Sequence, residues 1–230
     1  MTSESIFDFG PLLIGKKADD KNEDSVKQMN SSVFRITNAG KYKCFIEFDL
    51  SSTIHVDNPE YKKDVFLIEP NNFTLDMDET GEIRVWALPD TDQKFKDDLI
   101  CMVKDNPTPM IIPMVCLGAR PMVEINVSEE GEMHKVEFER LLLKQSANRH
   151  LIVKNVGFIP AKWQLTGLDT LPTREFTVTN TSGVLKPTQE TSIEIVFNSH
   201  EQEKFAKQLQ LEVEDTEGLG VKQTPVVIDV

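Results

Sequence analysis

The 230-residue sequence contains no long uninterrupted hydrophobic run, and no window in it is apolar enough over the length that a transmembrane helix needs. Residues 1–8 also lack the basic flank and apolar stretch of a secretory signal. Basic residues are outnumbered by acidic ones in both halves, with 14 against 21 up to Arg120 and 11 against 17 after it. Surfaces that follow nucleic-acid or lipid phosphates need clustered Lys and Arg. We therefore expect a cytoplasmic protein that binds neither nucleic acid nor membrane.

Cysteine is nearly absent, and the three that occur, Cys44, Cys101 and Cys116, all lie in the first half. An odd number confined to one half does not make a disulfide framework. Each lies in an apolar or alternating segment, where a free thiol behaves as a small hydrophobic residue. We predict reduced thiols buried in strands, and neither a disulfide nor a metal site.

The residue patterns of common active sites are missing as well. There is no Gly-x-Ser-x-Gly elbow, and Gly-Lys-Lys at 15–17 lacks the other residues of a phosphate-binding loop. No two histidines are three or four positions apart, and the carboxylate pairs at 97–98 and 129–130 are interpreted as solvated surface. The sequence predicts a protein that is not an enzyme and has no catalytic residue, cofactor or metal ion. The rival enzyme hypothesis needs a deep pocket with convergent titratable side chains.

Residues 76–81, Asp-Met-Asp-Glu-Thr-Gly, resemble the start of a calcium-binding loop, with oxygen ligands at alternate positions and glycine sixth. The twelfth position of such a loop carries a bidentate glutamate, and here it is Ala87. Because alternating segments flank these residues, we interpret them as a hairpin turn rather than a cation site.

The strongest positive feature is an internal repeat. Ile83 and Ile193 are 110 positions apart, as are Val103 and Val213. The offset between matching residues changes only in the loops. This spacing indicates two domains, residues 1–119 and 120–230. The matching segments are 7–14 with 136–143, 33–40 with 150–157, 73–87 with 183–197, and 94–105 with 204–215.

Apolar residues alternate within each repeat, as at Leu99, Cys101 and Val103, which is typical of half-buried strands. About seven short strands per hundred residues, separated by turn residues, predict an antiparallel sandwich. The expected fold class is all-β, with two tandem immunoglobulin-like sandwiches in which Trp86 and Trp163 are packing residues. The charged residues at about 18–29 are expected to form a solvated insertion. Residues 199–207 are the only stretch expected to form one or two helical turns.

Motifs in both repeats carry a family resemblance. They are Phe-Asp-Phe-Gly-Pro-Leu-Leu at 7–13, Asp-Asn-Pro at 105–107, Gly-Ala-Arg-Pro at 118–121, and the segments 138–143, 160–163, 165–168 and 176–178. In order and spacing they resemble the hydin family of giant ciliary proteins, whose chains repeat ASH domains with a fold similar to that of major sperm protein (MSP). The resemblance extends over the whole chain apart from the insertion, and it implies that both sandwiches are ASH/MSP-like.

The resemblance further implies a non-enzymatic scaffold of the motile-cilium axoneme, located in the cytoplasm and cytoskeleton. Its partners would be central-apparatus proteins, including microtubule-associated ones, and neighbouring ASH domains of a longer parent chain. A strand pattern that runs to Val230 is in keeping with a further domain. The alternative is a soluble ASH- or MSP-type adaptor that targets a protein to the centrosome, the Golgi or other cytoplasmic partners. A reader of acidic peptides would need a basic face, which the net charge of −13 argues against.

One segment is a candidate partner contact. Phe158, Ile159 and Pro160 follow the Asn-Val-Gly turn at 155–157 and form an apolar tip where turns are normally polar. The competing interpretation is packing against their own domain or the neighbouring one. An exposed sheet edge is a second way to bind a partner, through backbone pairing.

Overall fold

The computed structural model describes residues 6–17, 30–55, 58, 61–127, 134–167 and 175–230. These residues form strands, turns and one helix of four residues, so the predicted all-β class is confirmed. The chain divides into two compact units, Met1–Ala119 and Arg120–Val230. The predicted insertion at 18–29 and the acidic pair at 129–130 lie outside the described residues. Among the described residues, no helix is long and apolar enough to cross a membrane.

In its described part, the first unit has eight strands and the single helix. The strands form a five-stranded sheet in the order β1-β8-β7-β3-β5 and a three-stranded sheet in the order β2-β6-β4. The elements are β1 (Phe7–Leu13), β2 (Ser31–Thr37), β3 (Cys44–Leu50), α1 (Ser51–Ile54), β4 (Phe66–Glu69), β5 (Asn72–Leu75), β6 (Thr80–Ala87), β7 (Lys94–Val103) and β8 (Met110–Ala119).

The described part of the second unit also has eight strands. They form two four-stranded sheets, β12-β14-β10-β9 and β13-β11-β15-β16. The elements are β9 (Val123–Val127), β10 (Ser146–Asn155), β11 (Ala161–Thr166), β12 (Phe176–Val178), β13 (Ser182–Leu185), β14 (Glu190–Asn198), β15 (Gln208–Asp215) and β16 (Val226–Asp229).

Each unit has its own core, formed by the inward residues of the alternating strands. In the second unit Trp163 is 2% exposed and packs in a cluster with Leu151 of β10 and Ile193 of β14. Burying such side chains is the main driving force of folding, at about 25 cal/mol per Å² of apolar surface. Trp86 is 7% exposed, so both tryptophans are packing residues, as predicted.

Strand β1 departs from the predicted antiparallel pattern, because it runs parallel to β8, with Leu13 opposite Ala119. Its register shifts around Gly10, which has a φ of +73° and whose N–H donates to Asp8 Oδ1 over 2.8 Å. Pro11 is tolerated because β1 is an edge strand. The motif at 7–13 therefore forms a bulged parallel edge strand. Side-chain alternation is the same in either strand direction, so the sequence did not reveal this.

The prediction of a hairpin at 76–81 is wrong. Strand β5 pairs with β3 and strand β6 pairs with β2 and β4, so the turn joins two different sheets. Glu79 N–H donates to Asp76 O over 3.2 Å, and Thr80 already belongs to β6. A tight turn between two alternating segments has the same sequence pattern whether the strands pair or separate.

Both expectations about helices are also corrected. Residues 199–207 form no helix, and their ends instead make backbone hydrogen bonds to segments distant in sequence: Ser199 N–H donates to Gln145 O and Lys207 N–H to Val230 O. A helix does occur at Ser51–Ile54, where none was predicted, and His55 follows it. Four residues are too few to show helical periodicity in a sequence.

Candidate interaction site

A buried asparagine shapes the tip of the second unit. Asn155, at the end of β10, is fully buried, and its Nδ2 donates to Ile159 O over 2.9 Å and to Leu185 O over 2.8 Å. Its Oδ1 accepts the N–H of Gly157 over 2.8 Å. Because β10 and β13 belong to different sheets, this one side chain ties the two sheets together at the turn. We call these bonds the asparagine clasp.

The first unit has the same clasp. Asn38 Nδ2 donates to Tyr42 O, Leu75 O and Asp76 O over 2.8, 3.2 and 3.1 Å, and its Oδ1 accepts the N–H of Gly40 over 3.0 Å. The Asn-x-Gly turns that mark the repeat in the sequence are thus equivalent inter-sheet ties. A buried amide in this position satisfies backbone groups that would otherwise be left without partners.

The clasp fixes where the three candidate residues lie. Ile159 points inward and is 8% exposed, whereas Phe158 is 63% exposed and Pro160 is also exposed. The structure therefore separates the predicted apolar tip into one core residue and two surface residues. In the first unit, Lys41 takes the place of Phe158 in the clasped turn and is exposed. The turn itself thus does not require an aromatic residue there.

Other apolar groups adjoin Phe158. Met122 O accepts the N–H groups of Val156 and Gly157 over 3.0 and 3.3 Å, and the side chains of Met122 and Val156 are 47% and 38% exposed. Phe158, Met122 and Val156 are thus exposed apolar residues on two segments that are joined by backbone hydrogen bonds, and we call these three residues the Phe158 patch. Exposed apolar groups that cluster in this way are typical of contact sites.

A carboxylate organises the loop that follows β15. Asp215 lies opposite Ala161 in the β11–β15 pair. Its oxygens accept the N–H groups of Glu217, Leu219 and Val221 over 2.8, 3.1 and 2.8 Å. Burial alone would raise the pKa of Asp215, but these backbone donors outweigh it and lower the pKa. The carboxylate is therefore charged at neutral pH and holds the loop in shape.

The interpretation of residues 97–98 as solvated surface is wrong. Asp97 is 1% exposed in β7, and its Oδ1 accepts the N–H of Ser52 over 3.1 Å and of Asp98 over 2.8 Å, while its Oδ2 has no hydrogen-bond partner. Asp98 is half-buried and accepts the hydroxyl of Tyr61 over 2.9 Å. Burial raises the pKa of Asp97. The pair anchors α1 to the sheet, a role that a run of polar residues does not reveal.

Replacing Asp97 by asparagine is expected to change how the stability of the first unit depends on pH. The folded pKa of Asp97 is raised above 3.8, so the protonated form is favoured by folding, and this contribution is lost as pH rises through the folded pKa. The variant keeps the acceptor for Ser52 without the buried charge. It should therefore be more stable than the parent chain at pH 7, with the difference shrinking towards pH 4.

Urea unfolding at several pH values measures this difference, with the exposed Asp105→Asn as the matched control. A difference between Asp97→Asn and the parent chain that does not vary with pH would contradict the assignment.

The cysteines are placed as structural residues. Cys101 and Cys116 are buried, as predicted, and Cys44 is half-buried. Burial raises the pKa of Cys116 to about 12, helped by the charge of Asp8, and burial together with Cys44 raises the pKa of Cys101. Thiols with raised pKa values are poor nucleophiles at neutral pH. Within the part of the chain that the structure describes, no three His, Cys, Asp or Glu side chains converge to hold a metal ion.

Comparison with known proteins gives the family. The model of the "HYDIN/CFA65/VesB-like, Ig-like domain" matches residues 132–224. The chain is 31% identical to the hydrocephalus-inducing protein homolog of Homo sapiens over 97% of its length, and 31% identical to the hydrocephalus-inducing protein of Mus musculus over 94%. It spans about 4% of the length of each.

A solved structure, the ASH / PapD-like domain of human CEP192 (PapD-like domain 7), aligns with a TM-score of 0.40 and 17% identity over 46% of this chain and 80% of that one. The resemblance expected from the sequence motifs is confirmed by the matches in sequence: the chain consists of hydin-like immunoglobulin-like domains.

Proposed function

We propose that the chain is a non-enzymatic structural segment of the motile-cilium axoneme, in a projection of the central pair, and that it supports ciliary movement through protein contacts. The observation that carries this proposal is the 31% identity to the human hydrocephalus-inducing protein homolog over 97% of the chain. The relative is about 25 times longer, in line with the 4% that the chain covers. We propose that residues 1–119 and 120–230 are two neighbouring domains of a similarly long chain.

The structure suits a load-bearing spacer. Each unit has its own apolar core, and in each an asparagine clasp ties the two sheets at one end. A sandwich held at its core and at its turns resists shear between its sheets, because any sliding breaks buried hydrogen bonds. Repeated rigid units of this kind set distances along a chain and present loops and sheet edges to partners.

Within this role, we assign the Phe158 patch to contact with a neighbouring protein. Phe158 is exposed, and the clasped turn of the first unit forms with a lysine in its place, so the fold of the turn does not account for the aromatic residue. The cross-strand ion pair of Lys162 with Glu214, over 2.6 Å, lies on the exposed surface of β11 and β15, which border the tip. An apolar centre with a polar surround is the usual anatomy of a protein interface.

Location in a motile cell tests the axonemal role. The full-length parent protein, tagged and expressed at its normal level in a cell with motile cilia, is expected to give signal along the central pair of the axoneme. Signal confined to the centrosome, the Golgi or the cytosol would contradict the proposal and favour the adaptor alternative.

Replacing Phe158 by alanine tests the patch. In the full-length parent protein, we expect the fraction retained in salt-washed axonemes to fall, because losing an aromatic anchor costs an interface about 2 kcal/mol. The unfolding free energy of the isolated 230-residue chain should change by less than about 0.5 kcal/mol, since the ring is exposed. Val184→Ala, at a side chain 55% exposed on β13, is the control and should leave retention unchanged. Equal retention of both variants would remove Phe158 from the contact.

A further inference from the structure

The second unit contains a groove of about 1760 Å³. One wall is the segment 135–143 and the other is the segment 199–210, and Phe176 and Phe197 lie between them. The chain exposes leucines on the first wall: Leu142 is 73% exposed and Leu143 is 54% exposed. Side chains of this kind are rarely left bare on a folded domain when they are adjacent.

The first unit shows what fills the equivalent place. There, Met114–Ala119 of β8 lie between β1, which pairs with them in parallel, and Lys94–Asp97 of β7, which pairs with them antiparallel. Leu13, Ile14 and Phe95, in the two segments that flank this strand, are buried, at 2%, 9% and 5% exposed.

The second unit has both neighbours of that strand in matching positions. The repeat aligns Leu13 and Ile14 with Leu142 and Leu143, and Phe95 with Phe205. Leu142 and Leu143 are exposed and Phe205 is half-buried, whereas their counterparts are covered. The two units thus carry similar apolar residues at these positions. They differ in the strand that lies between them, which in the first unit is Met114–Ala119 of β8.

The strand registers of the two units agree as far as Val230. Lys207 and Val230 exchange two backbone hydrogen bonds over 2.7 and 2.8 Å. The corresponding residues of the first unit, Asp97 and Met114, are paired in the same way. On the other side, Lys135 forms a parallel bridge with Asp229, and Val136 N–H donates to Asp229 O over 2.8 Å. Val230 therefore leads directly into the groove, midway between its walls.

We propose that an extended strand of about five residues, continuing from Val230, occupies this groove. It would pair antiparallel with residues 204–206 and parallel with residues 137–142, and its alternate apolar side chains would cover Leu142 and Phe205. The rim of the groove carries both signs of charge, from Glu139, Arg140, Glu203 and Lys204. The net charge of the strand would therefore not decide whether it binds; backbone pairing and the alternation of its apolar side chains would. This inference rests on the proposed function, in which the residues after Val230 belong to a longer chain.

The test extends the 230-residue chain by Val-Cys-Leu-Gly-Ala, the sequence of residues 115–119 that fills the equivalent place in the first unit. The control extension is Gly-Ser-Gly-Ser-Gly, which has the same length and no apolar side chains. Hydrogen–deuterium exchange of peptides covering 137–143 and 204–206 reports the result. We expect the apolar extension to slow exchange there by at least about tenfold and the control to leave it unchanged.

A second comparison uses Leu142→Asp. In the unextended chain this change should have little effect, because Leu142 is 73% exposed, but in the extended chain it should abolish the added protection. The proposal is overturned if neither extension slows exchange. It is also overturned if only a separate Val-Cys-Leu-Gly-Ala peptide protects the groove, or if the unextended chain protects it by forming dimers that Leu142→Asp dissociates. None of these results depends on where the parent protein is located in the cell.

Discussion

Replacing Asn155 by aspartate is expected to lower the unfolding free energy of the second unit by about 4 kcal/mol, a large part of the stability of a domain. The buried Nδ2 of Asn155 donates to the carbonyl oxygens of Ile159 and Leu185 over 2.9 and 2.8 Å. Aspartate would place a carboxylate oxygen against these two acceptors with no donor to pair it. A buried charge facing other acceptors is among the costliest single changes in a protein.

Urea unfolding followed by hydrogen–deuterium exchange of β10 and β11 measures the loss. Asn126→Asp, the same chemical change at an exposed position of β9, is the control and should cost little. Exchange in the first unit serves as an internal reference, because its clasp at Asn38 is intact. If Asn155→Asp were as stable as Asn126→Asp, the clasp would not hold the sheets together.

Replacing Gly118 by alanine is the second change with a large expected effect, about 3 kcal/mol lost from the first unit. A Cβ at Gly118 would lie 1.9 Å from Thr91 O, a backbone atom. The strand cannot readily move away, because Gly118 N–H donates to Gln93 O over 2.9 Å and Gly118 pairs with Leu12 of β1. The clash must therefore be relieved by breaking pairing on one side of β8.

The control is Gly10→Ala, since an added Cβ there meets no atom within 4 Å. Its φ of +73° alone should cost about 1 kcal/mol. Chemical unfolding of the first unit separates the two, and the prediction fails if Gly118→Ala unfolds at the same urea concentration as Gly10→Ala.

Gly118 and Asn155 also show how far the sequence could lead. Both belong to motifs that the sequence marks, Gly-Ala-Arg-Pro at the boundary and Asn-Val-Gly at a turn. The turn itself was predictable, because asparagine and glycine accept the backbone conformations that turns need. The carbonyl groups that the Asn155 amide binds could not be predicted, because one of them belongs to Leu185, which lies 30 positions away in another sheet.

Asp97 shows why a local pattern can mislead. The segment around it is rich in Lys and Asp, which favours a solvated surface. Its carboxyl group is nevertheless buried, because Ser52, 45 positions earlier, lies on the unpredicted helix α1 and donates its N–H to Asp97 Oδ1. Burial of a polar group depends on partners that are distant in sequence, so periodicity alone cannot foresee it.

What the sequence determined by itself was the alternation of side chains and its repetition, and from these the two immunoglobulin-like sandwiches and the inward residues of strands such as β7 and β15. Alternation is local, because successive side chains of a strand point to opposite faces. The tertiary structure alone decided the parallel direction of β1, the burial of Asp97 and the contrast between the covered Leu13 and the bare Leu142. Each of these depends on which distant segment lies alongside, and that is set by packing of the whole unit.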